Sequence, residues 1–171
     1  MIDASTFASL FDALYPRLFG YIRARVRTRQ IAEDLTATVF EKALRYQHTY
    51  SPDKGDFDAW LFQIARNAVI DHQKAQTKAP TETELDPAYQ LAANQPTPEQ
   101  ALVKQEQQLN LNKVITQLPE RDQEIIQLRF FGRLTNRKIA ELLDMKEKTV
   151  SVVIYRALKK MKFELEAREA A

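Results

Sequence analysis

Apolar residues recur at helical spacing along most of the chain. Phe7, Leu10, Phe11, Leu14, Leu18, Phe19, Ile22 and Val26 predict an opening amphipathic helix, with Pro16 kinking or restarting it. A second helix is predicted over 31–46, with Leu35, Val39, Ala43 and Tyr46 on its core side. Residues 47–56 contain S-P-D-K-G, a turn signal, and a third helix over 57–74 puts Phe57, Trp60, Leu61, Ile64 and Ala68 on one stripe. Asp71 falls near that stripe and reads as a packed, structural carboxylate. The pattern then stops. Residues 79–96 hold three prolines, three acids and no base, and read as a linker. Periodicity resumes at Thr97-Pro98-Glu99-Gln100, a capping box with proline at the first helical position, and Leu118-Pro119 ends that helix. A helix over 120–131 follows, with Gly132 placed for a left-handed C-terminal residue. Thr135 caps a short helix through Leu143, Asp144-Met145-Lys146 makes a tight turn, and a longer helix runs from 147 to about 165.

Composition narrows the class. The chain has 171 residues, 44% of them apolar and 28% charged, with only three glycines. Together with the helical periods this predicts an all-α protein of two small helical domains, 1–78 and 97–171, joined by a flexible acidic tether over 79–96. Cysteine is absent and there are two histidines, His48 and His72, so thiolate chemistry and His-pair metal motifs are excluded. Neither glycine-rich phosphate loop occurs. No apolar run approaches the ~18 residues of a membrane span, and no signal-peptide core is present, so neither membrane insertion nor secretion is expected. No pair or triad has a catalytic context, so an enzyme, a cofactor, a metal and a small-molecule substrate are not expected either.

Charge distribution changes the picture more than the net value of +2. Residues 1–78 carry eleven bases and nine acids, and residues 97–171 carry fourteen bases and eleven acids. Along the last helix, Val150, Ile154, Ala157, Leu158 and Met161 share the side predicted to be buried. The opposite side presents Lys148, Thr149, Val152, Val153, Arg156, Lys159 and Lys160. A solvated face of a plain bundle competes with a phosphate-facing surface there. The I-A-E-L-L turn followed by T-V favours a DNA-binding helix-turn-helix. The adjacent valines read either as contacts to thymine methyl groups or as a patch covered by another protein. Arg23, Arg25, Arg27 and Arg29 split over two sides of the first helix and read as solvated or capping residues.

The motifs L-P-E-R-D-Q-E-I-I-Q-L-R-F-F (118–131), A-E-D-L-T-A-T-V-F-E-K-A-L (32–44) and F-D-A-W-L-F-Q-I-A-R-N-A-V-I-D-H (57–72) carry a resemblance. In this order, over roughly 6–78 and 97–166, the chain resembles sigma-70-family transcription initiation factors of the extracytoplasmic-function class. The resemblance implies a cytoplasmic specificity subunit that binds core RNA polymerase and promoter DNA, with an anti-sigma factor as a further partner. It implies that Asp34, Leu35, Thr38 and Glu41 dock a basic coiled coil of the polymerase, with Ala37 and Thr38 standing where Gln and Glu are usual. It places Tyr50, Lys54, Arg66, Asn67 and Lys74 at the −10 element, beside Tyr46 and His48, while Trp60 reads as core. It assigns −35 readout to Thr135, Lys148, Thr149, Val152, Val153, Arg156, Lys159 and Lys160. A stand-alone helix-turn-helix regulator and a sigma-like interaction protein are the alternatives. A sensor domain would have no reason to hold A-E-D-L and W-L-F-Q-I-A-R-N together.

Overall fold

The helical periods fall on helices in the computed structural model, which describes residues 2–78, 98–100, 102 and 112–170. The helices are α1 (Ala4–Arg25), α2 (Arg29–Arg45), α3 (Phe57–Lys78), α4 (Glu120–Phe130), α5 (Asn136–Leu143) and α6 (Glu147–Glu169). Single 3-10 turns lie at Gln47–Thr49 and Pro52–Lys54. Residues 98–100 and 112–116 are also helical, and no strand occurs among the described residues. Thr97 and the expected linker over 79–96 lie outside the described residues. The chain divides into two compact units, one holding α1–α3 and the other α4–α6.

In the first unit α1, α2 and α3 pack pairwise. Asp3 starts α1: its carboxylate accepts from the Thr6 backbone N–H at 2.9 Å and the Thr6 hydroxyl at 2.8 Å. The backbone bond first, then the hydroxyl, holds its pKa below the usual carboxylate value. Leu14, Leu18, Tyr21 and Ile22 meet Ala32, Val39, Phe40 and Ala43 of α2 and Leu61, Phe62, Ala65, Ala68 and Val69 of α3 in the core.

Several expectations about this unit are corrected. Helix α1 runs on through Pro16, so the proline does not restart it. The Asp12 carbonyl has no intrahelical donor there, and both residues are exposed to solvent. Helix α2 buries Ala32, Thr36, Val39, Phe40 and Ala43, leaves Leu35 half-buried, and Tyr46 lies exposed just past its end. Thr36 is tolerated inside because its hydroxyl donates to the Ala32 carbonyl at 2.6 Å. Of the two readings of Arg23, solvated or capping, the capping one holds: the side chain is buried and its Nη1 donates to the carbonyl of Val26, the residue that ends α1, at 3.3 Å. Asp71 is exposed.

In the second unit α4, α5 and α6 pack on one another. Ile125, Ile126 and Leu128 of α4 are buried, as are Ile139 and Ala140 of α5 and Val150, Ile154, Ala157 and Met161 of α6. Gln123 Nε2 donates to the Leu118 carbonyl at 2.7 Å, closing the turn before α4. After α4 the positive φ falls on Arg133 (φ 53°), not on Gly132. The helix ends at Phe130, one residue early, and the exposed Arg133 takes the left-handed conformation on the way to the next cap.

Candidate nucleic-acid interface

Helices α5 and α6 form the expected helix-turn-helix. Thr135 caps α5, its hydroxyl oxygen accepting from the Lys138 N–H at 3.3 Å. Asp144 in left-handed conformation (φ 52°, ψ 57°) and a bond from the Met145 N–H to the Ala140 carbonyl at 2.9 Å turn the chain into α6. Thr135→Ala removes the cap acceptor and is expected to destabilise the protein by about 1 kcal/mol, measured as a lower urea midpoint.

Buried Val150, Ile154, Ala157 and Met161 fix which side of α6 faces outward. Lys148, Thr149, Val152, Arg156, Lys159 and Lys160 are exposed on the other side, and Val153 is half-buried on its flank. Leu158, expected inside, is 42% exposed, because it lies at the edge of the buried stripe. Two residues the sequence reading passed over stand out. Tyr155 is 66% exposed and Phe163 70%. Both lie on the outward side, at helical spacing from Lys148, Val152 and Lys159, which was the signal available for finding them. Among the described residues Lys148, Arg156, Lys159 and Lys160 form no ion pair, whereas Lys162 lies 3.7 Å from Glu166. The free basic face therefore stops at Lys160.

The expected −10 residues lie along a strip rather than in one pocket. Tyr50 follows the first 3-10 turn, half-buried, with its ring 5.3 Å from Phe57 and 5.5 Å from Trp60. Trp60 is therefore only half-buried, at the boundary between core and loop. Gly55, at φ 150°, lets the loop turn into α3. Lys54 is exposed in that loop. Asn67 and Lys74 are exposed on the outward side of α3 with Arg66 half-buried on its flank, and Asn67 accepts from Gln63 Nε2 at 3.2 Å. Lys74 stands about 25 Å along the axis from the start of α3, at 1.5 Å per residue, so it is not beside Tyr50. Asp58 is not part of this surface. It pairs with Arg17 at 3.1 Å, and both side chains are largely buried.

On α2, Asp34, Thr38 and Glu41 line one outward side with Arg45, and Leu35 flanks them half-buried. Asp34 accepts from Gln30 Nε2 at 3.0 Å, the Thr38 hydroxyl donates to the Asp34 carbonyl at 2.9 Å, and Glu41 pairs with Arg45 at 3.1 Å. The exposed pair is screened by water and leaves Glu41 available to a partner.

Among the described residues no group of three His, Asp or Glu is placed to hold a metal, and no helix is long and apolar enough to cross a membrane.

Residues 10–79 match the family described as sigma-70 region 2, and residues 108–161 match sigma-70, region 4. The chain is 31% identical over 159 residues to the ECF RNA polymerase sigma factor BldN of Streptomyces coelicolor, covering 92% of this chain and 59% of the relative's length. It is 32% identical over 145 residues to the ECF RNA polymerase sigma factor RpoE of Cereibacter sphaeroides, covering 81% of this chain and 74% of that one. It is 24% identical over 163 residues to SigM of Bacillus subtilis, covering 92% of this chain and 93% of that one. Its fold is that of the sigma factor RpoE solved with the anti-sigma factor NepR from Bartonella quintana (TM-score 0.72, 18% identity, 95% of this chain and 98% of that one). It is also that of CnrH solved with the cytosolic domain of CnrY (TM-score 0.67, 20% identity, 96% and 90%). With a region 2 match on the α1–α3 unit, a region 4 match on the helix-turn-helix, and relatives of this identity, the chain belongs to the ECF sigma factors of RNA polymerase.

Proposed function

We propose that this chain docks core RNA polymerase through α2, holds the −10 strand with the 46–56 loop and the outward side of α3, and reads the −35 element with α6. The domain limits are 1–78 and 97–171, with 79–96 as the connection. The unpaired cationic face of α6 carries this reading. Four cations without ion-pair partners among the described residues, on the outward side of a helix-turn-helix second helix, suit phosphates that flank a major groove. The protein supplies specificity to the polymerase in the cytoplasm and performs no chemistry of its own. Run-off transcription by purified core polymerase, with and without this chain, on a genomic promoter library tests the reading. Initiation at a defined promoter set supports it, and no transcript at any promoter overturns it.

Phosphate contacts predict a distinct signature. Lys159→Ala and Lys160→Ala should each weaken promoter binding evenly across sequences. Each should flatten the log affinity versus log salt slope by about 0.9, read in a salt titration of the holoenzyme.

A second reading of the same helix rests on Tyr155 and Phe163. Exposed rings on the same side of α6 as Val152 also suit a protein cover such as an anti-sigma factor. Tyr155→Ser and Phe163→Ser separate the two. Loss of promoter binding favours DNA contact, while unchanged binding favours the protein cover.

A further inference from the structure

The turn at Asp144 holds α5 and α6 together at one end. At the other end Asn136, the first residue of α5, donates from Nδ2 to Ser151 Oγ at 3.1 Å, across 15 residues of sequence. Ser151 Oγ donates in turn to the Glu147 carbonyl at 3.1 Å. The hydroxyl is therefore engaged on both sides. Its proton returns to its own helix and one lone pair is taken by the α5 amide. Ser151 precedes Val152 on the second turn of α6, yet it is committed to α5 rather than to a base. Asn136 also keeps its Oδ1 buried with no partner among the described residues. An unpaired buried acceptor is unfavourable, so stability does not account for an amide at this position.

We propose that Asn136 and Ser151 are positioning residues for upstream promoter readout. Their bond sets the rotation of the first turns of α6 against α5, and with it the direction in which Val152 and Arg156 project. The inference rests on the reading of α6 as the −35 helix. Helices α5 and α6 pack together, with Ile139 and Ala140 of α5 buried, but hydrophobic contact is non-directional. A hydrogen bond is directional, and base-edge recognition demands placement within about 0.5 Å and 10–20°. Loss of the bond leaves the unit folded and blurs where Arg156 points.

The test is selection from randomised −35 sequences by the assembled holoenzyme, alongside melting curves of the free chain. Asn136→Ala and Ser151→Ala should each lower the preference for the selected −35 sequence by about three- to tenfold. Melting should barely change, because Asn136→Ala also removes the orphaned acceptor. The double variant should be no worse than either single one, and Ser151→Thr, which keeps the hydroxyl, should restore the preference. Effects that multiply in the double variant overturn the proposal, as does a loss confined to Ser151→Ala, which would make Ser151 a direct reader. A preference that survives in Asn136→Ala overturns it alone. A wild-type holoenzyme with no −35 preference overturns the −35 reading and this inference together.

Discussion

Arg156→Ala is expected to erase discrimination at one base pair of the −35 element, by about 5- to 150-fold, or about 1–3 kcal/mol. Arg156 is the one guanidinium on the outward side of α6 between Lys148 and Lys160. Its planar fork matches the paired acceptors of guanine, whereas a lysine ammonium acts as a point charge. Arg156→Lys should keep much of the affinity and lose the base preference. Neither Lys159→Ala nor Lys160→Ala should show that split. The exposed Val152 beside it adds a preference for thymine, whose methyl group needs only an apolar contact. Selection by the holoenzyme measures both effects. A preference unchanged by Arg156→Ala would make this face a protein interface, with Tyr155 and Phe163 as its centre.

The part of this surface that was legible in the sequence is the part set by helical period and caps. Thr135, the turn at Asp144, and the buried row Val150, Ile154, Ala157 and Met161 follow from local rules that no distant contact overrides. What periodicity does not give is which flank of a stripe a neighbouring helix covers. Leu158 and Tyr46 are apolar and at plausible spacing, yet nothing packs over them enough to bury them. Thr36 and Arg23 show the reverse. A polar residue enters the core when its own backbone supplies the partner, as the Ala32 and Val26 carbonyls do. Trp60 lies on the expected stripe but is only half-buried, because that stripe continues past the core to the loop, where Tyr50 and Phe57 meet it. The Asn136–Ser151 bond is beyond sequence patterns altogether. It depends on the crossing of two helices, and neither residue type at its position announces a partner fifteen residues away.

Reversing both acids on α2, Asp34→Lys with Glu41→Lys, is expected to weaken core polymerase binding by at least tenfold. Two like charges placed against a basic partner surface cost several kcal/mol when brought together, far more than two exposed substitutions cost the free domain. Glu41 leaves one complication, since reversing it sets a cation against Arg45 at i+4 in place of the present 3.1 Å pair. That repulsion is worth only a few tenths of a kcal/mol, and Glu41→Gln serves as the control that removes the pair without reversing charge. Circular-dichroism melts of the free chain should therefore stay close to wild type while affinity for core falls. Thr38→Glu tests the same surface from the other direction. The Thr38 hydroxyl bonds its own helix at the Asp34 carbonyl, so the native residue offers no charge to a partner. A carboxylate there would sit between Asp34 and Glu41, costing the helix a few tenths of a kcal/mol, and should nevertheless tighten binding to a basic partner. Tighter binding at slightly lower stability is the outcome that only a docking surface produces. Equal affinity for the reversed, neutral and restored variants would mean that α2 faces solvent in the holoenzyme.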